Sequence, residues 1–280
     1  MDTQQTPSAA YVLGHSAQEL ERLIAQSRLF EPFTEQFFRE AGVTTGMRVL
    51  DFGCGAGDVS FLVARMVGPT GQVIGLDRSP DGVATASRRA RSLAVSNVRF
   101  VQGEVGTLAD EEPFDAAVGR FVLMFCPDPV DVLRQVTARI CPGGLIAFQE
   151  ADWTDCRSSP DTPTWSQCVR WATEAFQQSG ADTLMGLKLA ATYATAGLPA
   201  PTLSLHAGIA AGPNHPLYTI VSETIRTLLP AMEQLGIATA GEVDIDTLAR
   251  RLSDELDATQ GTAIWFSLIG AAARKPKEQE

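Results

Sequence analysis

The stretch Val49-Leu50-Asp51-Phe52-Gly53-Cys54-Gly55-Ala56-Gly57-Asp58 decides how this chain reads. Arg48–Phe52 is a short apolar run holding one acid, and three glycines at alternate positions follow it. Glycines between a buried strand and a helix remove the Cβ atoms that would keep a ligand off the backbone. A helical pattern starts at once, with Val59, Leu62, Val63 and Met66 on one side. After the turn Gly68-Pro69-Thr70-Gly71, a second strand, Gln72–Asp77, ends on an acid twenty residues past Gly57. In nucleotide-binding strand-helix-strand units, a carboxylate at that place meets ribose hydroxyls.

The glycine spacing selects among nucleotides. A dinucleotide fingerprint runs GxGxxG, whereas this run is GxGxG with Asp58 behind it. Asp is a natural N-cap, and the spacing predicts that Asp58 caps the helix. There it would occupy the free amides that a pyrophosphate needs, and repel the anion. S-adenosylmethionine has no phosphate and carries a sulfonium cation, so an acidic glycine loop suits it better.

Outward from this stretch, strands are expected at Val98–Gln102, 114–119 and 145–148, with amphipathic helices between them. Alternating strands and helices argue for a doubly wound parallel sheet. Ser79 is placed to cap a helix reaching about Ala94. Ahead of the core, Ser16-Ala17-Gln18-Glu19 reads as a capping box. Pro32 reads as the start of a second short helix with Phe33, Phe37, Phe38 and Ala41 on one face, stopped by Gly42. Beyond the core, helices are expected at 164–178, 184–195, 216–235 and 243–256, and strands at 203–209 and 263–273.

The ordered motifs resemble those of class I S-adenosylmethionine-dependent methyltransferases. The glycine loop is similar to that family's first motif, and Gly75-Leu76-Asp77 to its second, whose acid binds both ribose hydroxyls. Gln102-Gly103-Glu104-Val105 resembles the third, whose acidic position and neighbour contact adenine; Glu104 stands where Asp is commoner. Phe114-Asp115-Ala116-Ala117-Val118 resembles the fourth strand, and Cys141-Pro142-Gly143-Gly144-Leu145 the turn before the fifth, with Cys141 where Arg is common. The resemblance covers roughly residues 40–150. It implies a Rossmann-like, seven-stranded, mostly parallel α/β sheet with an added helical cap. It also implies S-adenosylmethionine as cofactor, S-adenosylhomocysteine as product, and flanking segments that build a lid. The expected organisation is a helical lid over 1–42, a cofactor-binding core over 43–150, and the remaining strands with cap insertions over 151–280. The insertions fall at about 160–195 and 211–260.

The cofactor residues so implied are Tyr11, Asp51, Gly53, Cys54, Gly55, Gly57, Asp77, Arg78, Gly103, Glu104, Val105, Gly119 and Arg120. Methyl transfer from a sulfonium is an in-line displacement, so alignment and exclusion of water are the main demands. A base is needed only where the acceptor keeps its proton at neutral pH. The candidates for acceptor chemistry are His215, Arg120 and Glu150. Arg120 and Glu150 have bland alternatives. Arg120 could simply pair with a carboxylate, Glu150 and Asp152 could form a solvated rim, and His206 reads as core. Tyr218, Ile220, Leu228, Leu229 and Met232 read first as packing.

Composition narrows the function classes. A net charge of −11 disfavours nucleic acid and anionic membranes, which need a basic track. The one cationic cluster, Arg88-Arg89-Ala90-Arg91, reads as a solvated helix face. Five cysteines, Cys54, Cys126, Cys141, Cys156 and Cys168, form no CxxC pair and read as small buried thiols in a reducing, cytoplasmic setting. A thiol constellation of the arsenic-methylating kind is the sharper alternative. His15, His206 and His215 lack metal-ligand spacing, so no metal is expected. No secretory leader or membrane span is read from the sequence. The resulting expectation is a small-molecule enzyme of secondary metabolism, monomeric or homodimeric, methylating an O, N or C atom. The alternatives are a cofactor-bound cyclase or a non-catalytic binding relative.

Overall fold

The computed structural model describes residues 17–108 and 112–277. A long helix, α1 (Ala17–Ala41), precedes the alternating core of β1 (Arg48–Phe52), α2 (Asp58–Val67), β2 (Gln72–Asp77), α3 (Pro80–Ser92) and β3 (Val98–Gln102). The core continues through β4 (Phe114–Arg120), α4 (Pro129–Ala138) and β5 (Ile140–Asp152). Then come β6 (Arg157–Ser159), α5 (Pro163–Gln178), α6 (Met185–Thr195) and β7 (Thr202–Ala211). The chain closes with α7 (Pro216–Gln234), α8 (Ala240–Val243), α9 (Ile245–Thr259) and β8 (Thr262–Arg274).

Five parallel strands run in the order β3-β2-β1-β4-β5, and β8 lies antiparallel beside β5. β5 and β6 pair with successive stretches of one edge of β8, at Asp152↔Ser267 and then Arg157↔Ile264. β7 takes the other edge, from Thr202↔Ala272 to Ala211↔Thr262. Eight strands therefore fill seven positions across the sheet. The expectation of seven missed β6, a three-residue segment too short to carry a periodic signal.

Strand side chains alternate between two cores. Val49, Val73, Val118, Leu145 and Ala147 face a layer with Phe37 and Phe38 of α1 and Leu62 and Val63 of α2. Leu50, Ile74, Ala117, Ile146 and Phe148 face the larger cluster with Leu133, Trp165, Tyr193 and Leu228. Burying each of the valine, leucine, isoleucine and phenylalanine side chains fully contributes roughly 1.5–3 kcal/mol. Four of the five insertion residues, Tyr218, Ile220, Leu228 and Met232, are buried and Leu229 is partly buried against them, which is the packing reading.

Two local expectations are corrected. Pro32 does not open a helix but lies inside α1. Phe30, Phe37 and Phe38 are buried on both sides of it, and their burial offsets the backbone bond that proline cannot make. β5 is much longer than 145–148, because Cys141-Pro142-Gly143-Gly144 lies within the strand. Ser79 does cap α3, accepting from the Gly82 amide at 3.1 Å. The capping box at Ser16 lies outside the described residues, as do Tyr11 and His15.

Candidate functional site

The carboxyl ends of β1, β2 and β4 converge on the glycine loop. The Gly53 and Cys54 amides both donate to the Leu76 carbonyl, at 2.8 and 3.0 Å, which pins the loop to β2. Gly53, Gly55 and Gly57 take φ of 73°, 50° and 89°, a region L side chains avoid. A Cβ on Gly53 would lie 2.3 Å from Cγ2 of Val122, so that glycine is needed for packing of the loop after β4. A Cβ on Gly55 would meet nothing within 4 Å. Gly55 therefore presents its backbone to open space, where a ligand can approach.

Asp77 faces this opening. Its Oδ2 accepts the Gly55 amide and its Oδ1 the Ser79 amide, both at 2.8 Å. The carboxylate is fixed in place, half-buried, and its remaining lone pairs are free for hydroxyl donors. Asp51 lies beneath the loop, 1% exposed. Its Oδ2 accepts from Ser60 Oγ at 2.5 Å, and its Oδ1 has no partner. Burial pushes its carboxyl up to about 7; the Ser60 hydrogen bond and nearby Arg120 oppose the rise.

Asp58 is not the helix cap. The cap position is Gly57, and Asp58 is the first residue of α2, paired with Arg89 at 2.7 Å. Arg89 also donates to the Ala56 carbonyl at 2.5 Å, so its fork holds both the loop and the acid behind it. The reading of the arginine cluster as a solvated face fails at this residue. What survives of the phosphate argument is the loop's net acidity.

At the end of β3, the Gly103 amide donates to the Asp77 carbonyl at 2.9 Å, bringing that end against β2. Val105 is buried, while Glu104 is exposed and 3.4 Å from Arg78 Nε. Gly119 is enclosed, since a Cβ there would lie 2.5 Å from the Phe148 ring. Cys54 is buried beneath the loop, and burial raises its thiol well above the ordinary value.

The acceptor candidates divide. Arg120, half-buried at the end of β4, donates to Thr34 Oγ1 at 2.9 Å and Ser27 Oγ at 3.3 Å of α1. Burial lowers its pKa, opposed by Asp58, Asp51 and Glu31. Glu150 and Asp152 are fully buried, which overturns the solvated-rim alternative. Glu150 accepts the amides of Val122, Leu123 and Met124 at 3.0, 2.8 and 3.3 Å. It anchors the turn that presses Val122 onto Gly53. His215 caps α7, its Nδ1 accepting the Leu217 amide at 3.2 Å. His206 stacks on Phe33 with ring centroids 5.5 Å apart. Ser60, Arg89 and Val122 were missed by sequence reasoning, because nothing in their local spacing marks a contact with the loop.

The thiols make no visible constellation. Cys126 Sγ donates to the Val122 carbonyl at 3.3 Å, and burial pushes it up to about 12, as it does Cys168. No group of three metal-binding side chains occurs among the described residues. Among them, no helix is long and apolar enough to cross a membrane.

Residues 44–188, just over half the chain, match the family model for a methyltransferase domain. The demethylmenaquinone methyltransferase of Lactococcus lactis is 33% identical over 130 residues, 46% of this chain and 49% of that protein. The 2-phytyl-1,4-naphtoquinone methyltransferase of Synechococcus elongatus is 42% identical over 107 residues, 37% of this chain and 45% of that protein. An arsenite methyltransferase of Halobacterium salinarum is 32% identical over 130 residues, 44% of this chain and 33% of that protein. The matched stretch thus spans half or less of each relative's length. Among solved structures, the YcgJ protein of Bacillus subtilis superposes with a TM-score of 0.56 at 19% identity, covering 85% of this chain and 96% of that one. The cyclase SpnF superposes with 0.51 at 19% identity, covering 88% and 82%. These two likenesses establish the fold alone.

Proposed function

Because the chain belongs to the class I S-adenosylmethionine-dependent methyltransferase family and takes S-adenosylmethionine as cofactor, we propose that it methylates a small oxygen-bearing metabolite. The observation that carries this reading is the opening at Gly55 beside the fixed carboxylate of Asp77, with the unpartnered Oδ1 of Asp51 buried beneath the loop. These residues fit the group: Asp77 would accept from the ribose hydroxyls, and Asp51 would face the cationic amino-acid end. Gly103, Glu104 and Val105 line the place for the base. Bound there, the cofactor supplies a methyl group on a sulfonium, whose loss leaves a neutral thioether.

The chain's own part is alignment. The loop fixes the donor, Val122 and Phe121 form the wall after β4, and Arg120 supplies a cation for an acceptor oxygen. The naphthoquinone and menaquinone activities of two relatives support a ring-bearing acceptor. An arsenite acceptor is less well supported here, since Cys54, Cys126 and Cys156 donate to backbone carbonyls and burial raises these three thiols and that of Cys168. The cyclase neighbour keeps a second reading in play, because the same fold can serve a reaction without methyl transfer.

Calorimetry with S-adenosylmethionine and S-adenosylhomocysteine on wild type and Asp77→Ala tests the cofactor site. A lost hydrogen bond to a charged group costs about 1.5–3 kcal/mol, so Kd should rise roughly 10- to 150-fold. Equal affinity in the two proteins would refute the placement. Product mass then separates the readings, since methylation adds one CH2 unit and cyclisation adds none.

A further inference from the structure

One face of the sheet carries a row of polar groups that the cofactor site does not use. The register pairs Arg120 with Gln149, Gln149 with Gly270, and Gly270 with Ser204, so these residues lie side by side on β4, β5, β8 and β7. His206 lies two residues further along β7, on the same side. Gln149 is 0% exposed, and neither its Oε1 nor its Nε2 has a partner. Ser204 Oγ and His206 Nδ1 are likewise buried and unpartnered. At the other end of the row stands Asp51, whose partner strand position, Val118, shares a face with Arg120. Leaving Asp51 to the cofactor, four of the eight buried unpartnered side-chain atoms among the described residues fall on this one row. Folded proteins rarely leave such atoms unsatisfied, and a cluster of them calls for an explanation in ligand or water.

α1 roofs the row. Thr34 and Ser27 hold Arg120, Phe33 covers His206, and Phe37 fills the space left by the missing Cβ of Gly270. The roof supplies no hydrogen bond to Gln149. That amide offers a donor and an acceptor together, beside the Arg120 guanidinium of β4, the strand that separates it from the strand leading into the cofactor loop.

We propose that Gln149, with Arg120, is the recognition site for the oxygen of the acceptor, and that the acceptor is a phenol or enol. Gln149 would read the hydroxyl through its two amide atoms, and Arg120 would hold the oxyanion once the proton leaves to solvent. The electron pair of that oxygen, or of the conjugated ring carbon, forms the new bond to the methyl carbon as the carbon–sulfur bond breaks toward sulfur. This assignment rests on the methyltransferase reading above and deepens it.

The test uses Gln149→Leu, which removes the amide at similar volume. The probe is 1,4-dihydroxynaphthalene, titrated anaerobically by calorimetry into protein saturated with S-adenosylhomocysteine, alongside thermal melting of the cofactor-free protein. A recognition amide without a protein partner predicts tenfold or weaker probe binding, unchanged S-adenosylhomocysteine affinity, and an equal or higher Tm. A lowered Tm would show that the amide serves the fold and would overturn the proposal. So would equal probe affinity in both proteins, as expected if ordered water alone fills the row, or no probe binding by wild type that binds S-adenosylhomocysteine. Failure of wild type to bind S-adenosylhomocysteine would instead sink the underlying cofactor reading.

Discussion

Glu150 offers a perturbation whose size follows from its surroundings. Its carboxyl is buried on β5 and accepts three backbone amides from the turn after β4. Burial pushes it from 4.5 up to about 7, and the amides of Leu123, Val122 and Met124 oppose the rise without cancelling it. Between those two values the native state binds more protons than the unfolded chain. The group's contribution to stability is therefore complete below about pH 4.5 and is lost as pH rises through about 7. At about 1.4 kcal/mol per pH unit, that interval amounts to roughly 3 kcal/mol. Glu150→Gln removes the titration and keeps the shape. The amide oxygen can still accept from Val122 and Leu123, and only the longer bond from Met124 is lost. Cys126 and Tyr193 sense the charge of Glu150, yet burial raises both thiol and phenol, so neither titrates in this window. Asp51 is also pushed up to about 7, but it is present in both proteins and cancels in the comparison. Urea unfolding of cofactor-free protein from pH 4.5 to 8, followed by the fluorescence of buried Trp153, Trp165 and Trp265, supplies the free energies. The variant should gain on wild type by up to roughly 3 kcal/mol across that range. A difference that stays constant with pH would refute the reasoning.

The glycine loop predicts a contrast between neighbours. Gly53→Ala should lower Tm and abolish cofactor binding, because the new methyl group collides with Val122 at a left-handed φ. Gly55→Ala should fold with a loss of only about 1–2 kcal/mol, since its Cβ enters open space, yet weaken S-adenosylhomocysteine binding in calorimetry. The thiols predict a chemical test: Cys54 and Cys168 should react with an aromatic disulfide reagent at neutral pH only at the rate of unfolding, and rapid labelling of the native protein would contradict their burial.

The core was legible because its signals are local. The strand, three alternate glycines and a terminal acid lie within one short segment, and each type has a backbone reason to be there. Ser79 as a cap and the ends of β2, β3, α5 and α6 follow from the same short-range chemistry. What escaped was decided at a distance. Pro32 reads as a helix start until Phe30, Phe37 and Phe38 are seen packed on either side of it. Asp58 reads as a cap until Arg89, on the next helix, takes its carboxylate and leaves Gly57 to begin the turn. Glu150 reads as one of a solvated rim at a strand end until it is found buried, with three amides of the neighbouring loop on it. Gln149 is the opposite case, a residue with no motif value whose interest lies in having no partner where it is wholly buried. The cofactor half of the site is therefore written in sequence-local backbone geometry. The acceptor half depends on which side chains the registers of β4, β5, β8 and β7 set beside one another under α1, and no single segment encodes that juxtaposition. If Gln149 and Arg120 read the acceptor as proposed, substitutions along this row change what is methylated while leaving the glycine loop and Asp77 intact, so acceptor and cofactor can be varied independently on one frame.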